Sequence, residues 1–98
     1  MHIRIDEALQ LLSDWKNQET PLQLHFVRAG VREDFRGTVH LVEDTRVEVV
    51  SQQTKVQVDV QGADFNGDSK FPAYLVCELA SGDRYSFYVL RGNVSSFP

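Results

Sequence analysis

The chain has 98 residues, of which 42% are hydrophobic and 24% are charged. This length and composition predict one folded domain over residues 1–98, because disordered chains carry more charge and fewer apolar side chains. Ten Lys and Arg against fourteen Asp and Glu give a net charge of −4, which disfavours general binding to nucleic acid or to anionic membranes.

The sequence contains no feature that predicts secretion or insertion into a membrane. Its N-terminus turns acidic at Asp6 and Glu7, where a signal peptide would begin an apolar run. No segment approaches the ~18 apolar residues that a membrane-spanning helix needs. Cys77 is the single cysteine, so an intrachain disulfide cannot form. We therefore expect a cytoplasmic protein.

The first predicted element is an amphipathic helix from about Asp6 to Asn17. Its apolar residues recur at helical spacing, and its polar residues occupy the opposite face. Asp6 is the predicted N-cap, and Pro21 prevents the helix from continuing. We expect the helix to pack over one end of a β structure through Leu9, Leu12 and Trp15.

After Pro21 the apolar residues alternate with polar ones, which predicts about six short strands. The segment 62–72 has the composition of an exposed turn and is predicted as a mobile loop, whereas residues 73–80 are apolar on both faces and predict a central strand. The fold class expected is mainly β, with an N-terminal helix followed by a small, strongly bent antiparallel β-barrel. The predicted strands are 22–27, 35–41, 46–52, 55–60, 73–80 and 84–90.

Residues that could bind a metal or carry catalysis are scattered along the chain. Cys77 alternates with apolar residues along one predicted strand face, which is typical of a core thiol. The segment 64–68 resembles the start of a calcium-binding loop, but Ser69 and Leu75 replace the glycine and the bidentate carboxylate. We predict a protein that is not an enzyme and has no metal or cofactor. The histidines considered are His2, His25 and His40, of which the last two are predicted on paired strands.

Arginines form a second group of candidate binding residues, because a guanidinium can hold phosphate or carboxylate with two hydrogen bonds. Their acidic neighbours Glu33, Asp34 and Asp83 are predicted to neutralise all of them except Arg91. The arginines are Arg28, Arg32 and Arg36 around the first hairpin, and Arg84 and Arg91 beside the last long strand.

The order of these segments resembles that of the Sm-like (LSm) proteins. The helix and the segments 22–27, 35–39 and 44–49 are similar to the first Sm motif. The segment 88–94, with Arg91 and Gly92, is similar to the second. The resemblance implies a helix that caps a five-stranded, sharply bent barrel, with Gly37 as the glycine that permits the bend of the second strand.

Three departures from the Sm-like pattern bear on function. Matching Asp44 requires one inserted residue after Gly37, and the region 55–80 is longer than the usual connection. Glu48 then stands where RNA-binding members use an asparagine, and a carboxylate there would repel phosphate. The resemblance therefore implies the fold more than RNA binding. The binding residues that it suggests are Glu48, Arg91, Gly92 and Asn93.

The resemblance also implies self-association, because rings of this family form when the last strand of one subunit pairs with its neighbour. Val94 and Phe97 lie in the matching segment. We predict a non-catalytic binding or scaffold module that forms a homo-oligomer, with the identity of any protein partner left open. The alternatives are an RNA-binding Sm-like ring, which the net charge disfavours, and a barrel that binds a small ligand beneath the 62–72 loop.

Overall fold

A computed structural model describes residues 1–70 and 73–90, and within these ranges it contains one helix and eight strands. The predicted mainly β fold with one N-terminal helix is therefore confirmed, whereas the count of six strands is wrong. In chain order the elements are β1 (His2–Ile3), α1 (Ile5–Asn17), β2 (Leu22–Arg28), β3 (Val31–Glu43), β4 (Arg46–Val50), β5 (Lys55–Asp59), β6 (Asp64–Asp68), β7 (Tyr74–Glu78) and β8 (Arg84–Val89).

All eight strands belong to one antiparallel sheet with the order β1-β6-β7-β8-β2-β3-β4-β5. The two strands at its ends, β1 and β5, do not pair with each other in the part of the chain that the structure describes. The sheet is consequently open within the described residues, and the predicted barrel is not formed. β7 lies between two partners, which confirms the prediction of a central strand.

The bend of the sheet lies in the long strand β3, which changes partners halfway along its length. Its first part pairs with β2 as far as Gly37, and its second part pairs with β4 from Thr38 onward. A Cβ atom at Gly37 would lie 2.3 Å from the carbonyl oxygen of Val50. Only glycine allows β4 to approach this closely, so Gly37 occupies the position at which β3 changes partners.

Helix α1 lies against β3 and β6 and buries its apolar face there. Ala8, Leu12 and Trp15 are buried, in agreement with the predicted amphipathic pattern. The predicted N-cap is wrong, because the capping position is Arg4, two residues before Asp6. The backbone N–H of Arg4 donates a hydrogen bond of 3.1 Å to the Glu7 carboxylate. No helix in the described ranges is long and apolar enough to cross a membrane.

The core is formed by the inner faces of the bent sheet and by α1. Phe26 lies at its centre, with ring centroids 5.0 to 5.5 Å from those of Phe35, Tyr85 and Phe87. These edge-to-face arrangements are favourable beyond the burial of area alone. Trp15 reaches Phe87 from the helix side at 6.4 Å, so the helix and the sheet share one core.

Residues 62–72 were predicted as a mobile loop, but β6 occupies the middle of this segment. β6 pairs with β1 on one side and with β7 on the other. Phe65 and Gly67 are buried on its inner face, and a Cβ atom at Gly67 would lie 2.8 Å from the Tyr74 carbonyl oxygen. The prediction failed because the outward-facing Asp64 and Asn66 give the strand the composition of a turn.

Candidate functional site

Of the predicted binding residues, only Glu48 lies within the part of the chain that the structure describes. It is on β4, and its side chain is 15% exposed on the face opposite the core residues Val47 and Val49. Its carboxylate Oε1 lies 3.8 Å from Lys55 Nζ and 4.0 Å from His40 Nε2. The predicted residues outside the described ranges are Arg91, Gly92, Asn93, Val94 and Phe97.

Glu48 therefore joins three neighbouring strands rather than facing solvent alone. His40 lies at the irregular step where β3 changes its register against β4 between Val39 and Leu41, and Lys55 begins β5. The two basic side chains sit on either side of one carboxylate. This arrangement fits a cross-strand cluster of polar side chains, in which Lys55 and Glu48 carry opposite charges.

A groove of about 690 Å³ lies beside the bend of β3. Its lining is mainly apolar and includes Pro21, Leu22, Gly37, Val50 and Leu90. Leu90 is the last residue described, and its backbone N–H donates to the Pro21 carbonyl oxygen at 3.0 Å. The chain thus leaves the described part of the molecule at the rim of this groove, next to the connection between β4 and β5.

A network of polar side chains covers the outer face of β2 and β3, near the first hairpin. His25 Nδ1 lies 2.6 Å from Asp34 Oδ1, and Arg32 Nε donates to the same oxygen at 2.9 Å. These hydrogen bonds, first from His25 and then from Arg32, lower the pKa of Asp34 from its usual value. Arg28 is likewise paired with Glu33 at 3.1 Å, so the predicted local neutralisation is confirmed for Arg28 and Arg32.

Two other arginines do not follow that prediction. Arg36 Nε donates to the neutral Gln23 side chain at 3.1 Å, and Arg84 forms no ion pair with the residues described. Asp83, the expected partner of Arg84, instead accepts a hydrogen bond of 3.1 Å from the Ala29 backbone N–H. Neither Arg36 nor Arg84 therefore forms a salt bridge with a described carboxylate.

The outer face also carries aromatic side chains, which the sequence reasoning did not assign to a site. The rings of Tyr74 and Tyr88 stack with centroids 6.4 Å apart, and His25 meets Tyr88 edge-on at 5.6 Å. The alternation along β8 could have placed Tyr88 on the outer face, because Tyr85 and Phe87 face inward. Finding His25 beside it required the pairing of β2 with β8.

The remaining candidate groups do not converge. Cys77 is fully buried, as predicted, and burial raises the pKa of its thiol to about 12, which opposes nucleophilic chemistry. His25 lies opposite Asp34, whereas His40 lies beyond the bend of β3. Across residues 1–70 and 73–90, no three His, Cys, Asp or Glu side chains come together as a metal site. Comparisons with protein-family models, with curated proteins and with solved structures found no match to this chain.

Proposed function

We propose that this chain is a non-catalytic, Sm-like binding module that self-associates by strand addition to β5. The observation that carries the proposal is the open end of the sheet. Within the described ranges β5 pairs with β4 alone, so its other edge presents backbone N–H and C=O groups. A strand from a second copy would pair with these groups.

The side chains of β5 suit a specific strand partner. Val56 and Val58 are buried toward the core, while Lys55, Gln57 and Asp59 are exposed. Polar and charged residues on an edge strand discourage indiscriminate pairing. The backbone groups of β5 nevertheless stay accessible to a segment whose apolar residues pack beside Val56 and Val58. The edge is therefore suited to one defined partner.

The proposed partner segment is 94–97 of a second copy. Val94 and Phe97 are apolar, and the described chain ends at Leu90, beside the apolar groove and the connection that leads into β5. The sequence order of helix first, then a bent strand with Gly37 at the bend, supports the Sm-like part of the proposal. The burial of Cys77 supports a non-catalytic role.

Sedimentation velocity of the full chain tests this proposal. We expect an oligomer for the unmodified protein and a shift toward monomer for the double variant V94D/F97D. Association of this variant would bury two carboxylates at the contact, which is unfavourable. The matched control is S95D/S96D, which adds the same charge to the same segment and keeps both apolar side chains. A monomer at high concentration for the unmodified protein, or equal dissociation of both variants, would contradict the proposal.

A further inference from the structure

A shallow depression lies on the outer face of the sheet. It has a volume of about 330 Å³ and lies on β2, β3 and β8. Because its walls belong to paired strands rather than to loops, its shape is fixed by the sheet. We call it the outer-face depression; its lining residues are His25, Val27, Arg32, Arg84, Ser86 and Tyr88.

Two guanidinium groups stand on opposite sides of this depression. Val27 on β2 pairs with Arg32 on one side and with Arg84 on the other. Since adjacent strands lie about 4.8 Å apart, the two arginine Cα atoms are about 10 Å apart. Side chains with this separation can both reach an anion that lies above Val27.

The hydrogen-bond donors around the depression suit an anion. Arg32 is paired with Asp34 through its Nε, which leaves the Nη1 group of Arg32 able to donate to a ligand, and Asp34 itself does not line the depression. Glu78 is the Cα partner of Arg84 on β7, but no described carboxylate lies within salt-bridge distance of the Arg84 guanidinium. Arg84 can therefore donate its N–H groups to a ligand.

The other wall of the depression is aromatic and is held in place by its neighbours. Tyr88 is 41% exposed, with Tyr74 stacked beside it at an interplanar angle of 23° and His25 edge-on at 63°. A planar ligand ring would meet a preorganised surface there. Ser86 is only 6% exposed, so its hydroxyl forms part of the floor and can donate a hydrogen bond.

We infer that the outer-face depression binds a small aryl phosphate. The phosphate lies between Arg32 and Arg84, and the ring lies against Tyr88. A phosphate dianion offers three acceptor oxygens, one each for the Arg84 guanidinium, the Nη1 group of Arg32 and the Ser86 hydroxyl, whereas a carboxylate offers only two. This inference is independent of the strand addition proposed for β5.

An NMR titration of the full chain tests the inference with three probes: phenyl phosphate, inorganic phosphate and phenol. We expect phenyl phosphate to bind at least about tenfold more tightly than either of the others, because the ring contact and the charge-assisted hydrogen bonds act together. The shifted signals should centre on Val27, Arg84 and Tyr88. Absence of binding, or equal affinity for phenyl phosphate and inorganic phosphate, would overturn the inference.

Variants at exposed positions separate the two halves of the site. R84Q should weaken phenyl phosphate binding roughly tenfold, while Y88L should weaken it roughly threefold or more through loss of the ring contact. The control is R46Q, since Arg46 is exposed on β4 and pairs with Glu43 away from the depression. If R46Q weakened binding as much as R84Q, general charge attraction would explain the data and the inference would fail.

Discussion

Asp34 accepts hydrogen bonds from His25 on the neighbouring strand and from Arg32 on its own strand. These partners stabilise the ionised carboxylate, so the pKa of Asp34 in the folded protein lies below its ordinary value of 3.8. A carboxyl group with a lowered folded pKa stabilises the fold at pH values above the unfolded pKa. That contribution is lost as the pH falls through the folded pKa.

The first prediction is that D34N lowers the urea midpoint of unfolding at pH 7. Its difference from the unmodified protein should shrink as the pH falls from 3.8, the ordinary pKa of this carboxyl group, through the lower pKa of the folded protein, because below the folded pKa both proteins carry a neutral group at position 34. Urea unfolding followed by circular dichroism at a series of pH values provides the measurement. D64N is the control, since Asp64 is exposed on β6 and forms no ion pair with the described residues. A D34N deficit that is the same at every pH would contradict the ionisation argument.

For single residues, the sequence predicted whether a side chain points inward or outward, but it predicted less well which residues that side chain contacts. Alternation places Glu48 opposite the core face of β4, and the structure agrees. Its contact with His40 depends on the irregular register between β3 and β4, and its contact with Lys55 depends on the register of β5. Contacts of this kind arise from strand pairing, which a period-two pattern alone does not specify.

At the scale of the elements, one residue of β3, Gly37, determines how closely β4 packs against this strand. Gly37 is the last residue that pairs with β2, and the Val50 carbonyl group lies where a Cβ would be. Adding a methyl group to such a closely packed position requires a shift of the backbone. The approach of β4 to β3, and with it the curvature of the sheet, therefore depends on glycine.

The second prediction is that G37A destabilises the fold by ~1–3 kcal/mol, the usual cost of overpacking a tight site. The measurement is the free energy of unfolding from urea titration, with the slope checked for a change in two-state behaviour. T38A is the control, because Thr38 is the next residue of β3 and loses rather than gains volume. A G37A midpoint equal to that of the unmodified protein would show that β4 is not packed as closely as described.

The elements that the sequence predicted well are those with a long apolar period. Helix α1 has apolar residues on one face through more than three turns, and β7 is apolar enough to indicate a central strand. β1 has two residues, too few to show any period. β6 consists of Asp-Phe-Asn-Gly-Asp, and its pairing with two neighbours overrides a composition that is typical of turns.

For the whole molecule, the open sheet and the small size of the chain both favour association with a partner. A chain of 98 residues buries a smaller fraction of its surface than a larger protein does, and the free edge of β5 leaves backbone groups without protein partners in the described ranges. Closing the sheet on itself would have removed that edge. The proposed pairing with a second copy would remove that edge as well and would bury further apolar area, so association should be linked to stability.

The third prediction follows from this linkage. If subunits associate only when folded, the thermal midpoint of the unmodified protein should rise with protein concentration, because mass action favours the associated, folded form. V94D/F97D should show a midpoint that does not depend on concentration and that equals the low-concentration limit of the unmodified protein, while S95D/S96D should keep the dependence. Differential scanning calorimetry over a wide range of concentrations provides the measurement. A concentration-independent midpoint for the unmodified protein would mean that folding and association are not coupled, which would contradict strand addition to β5 by a second copy.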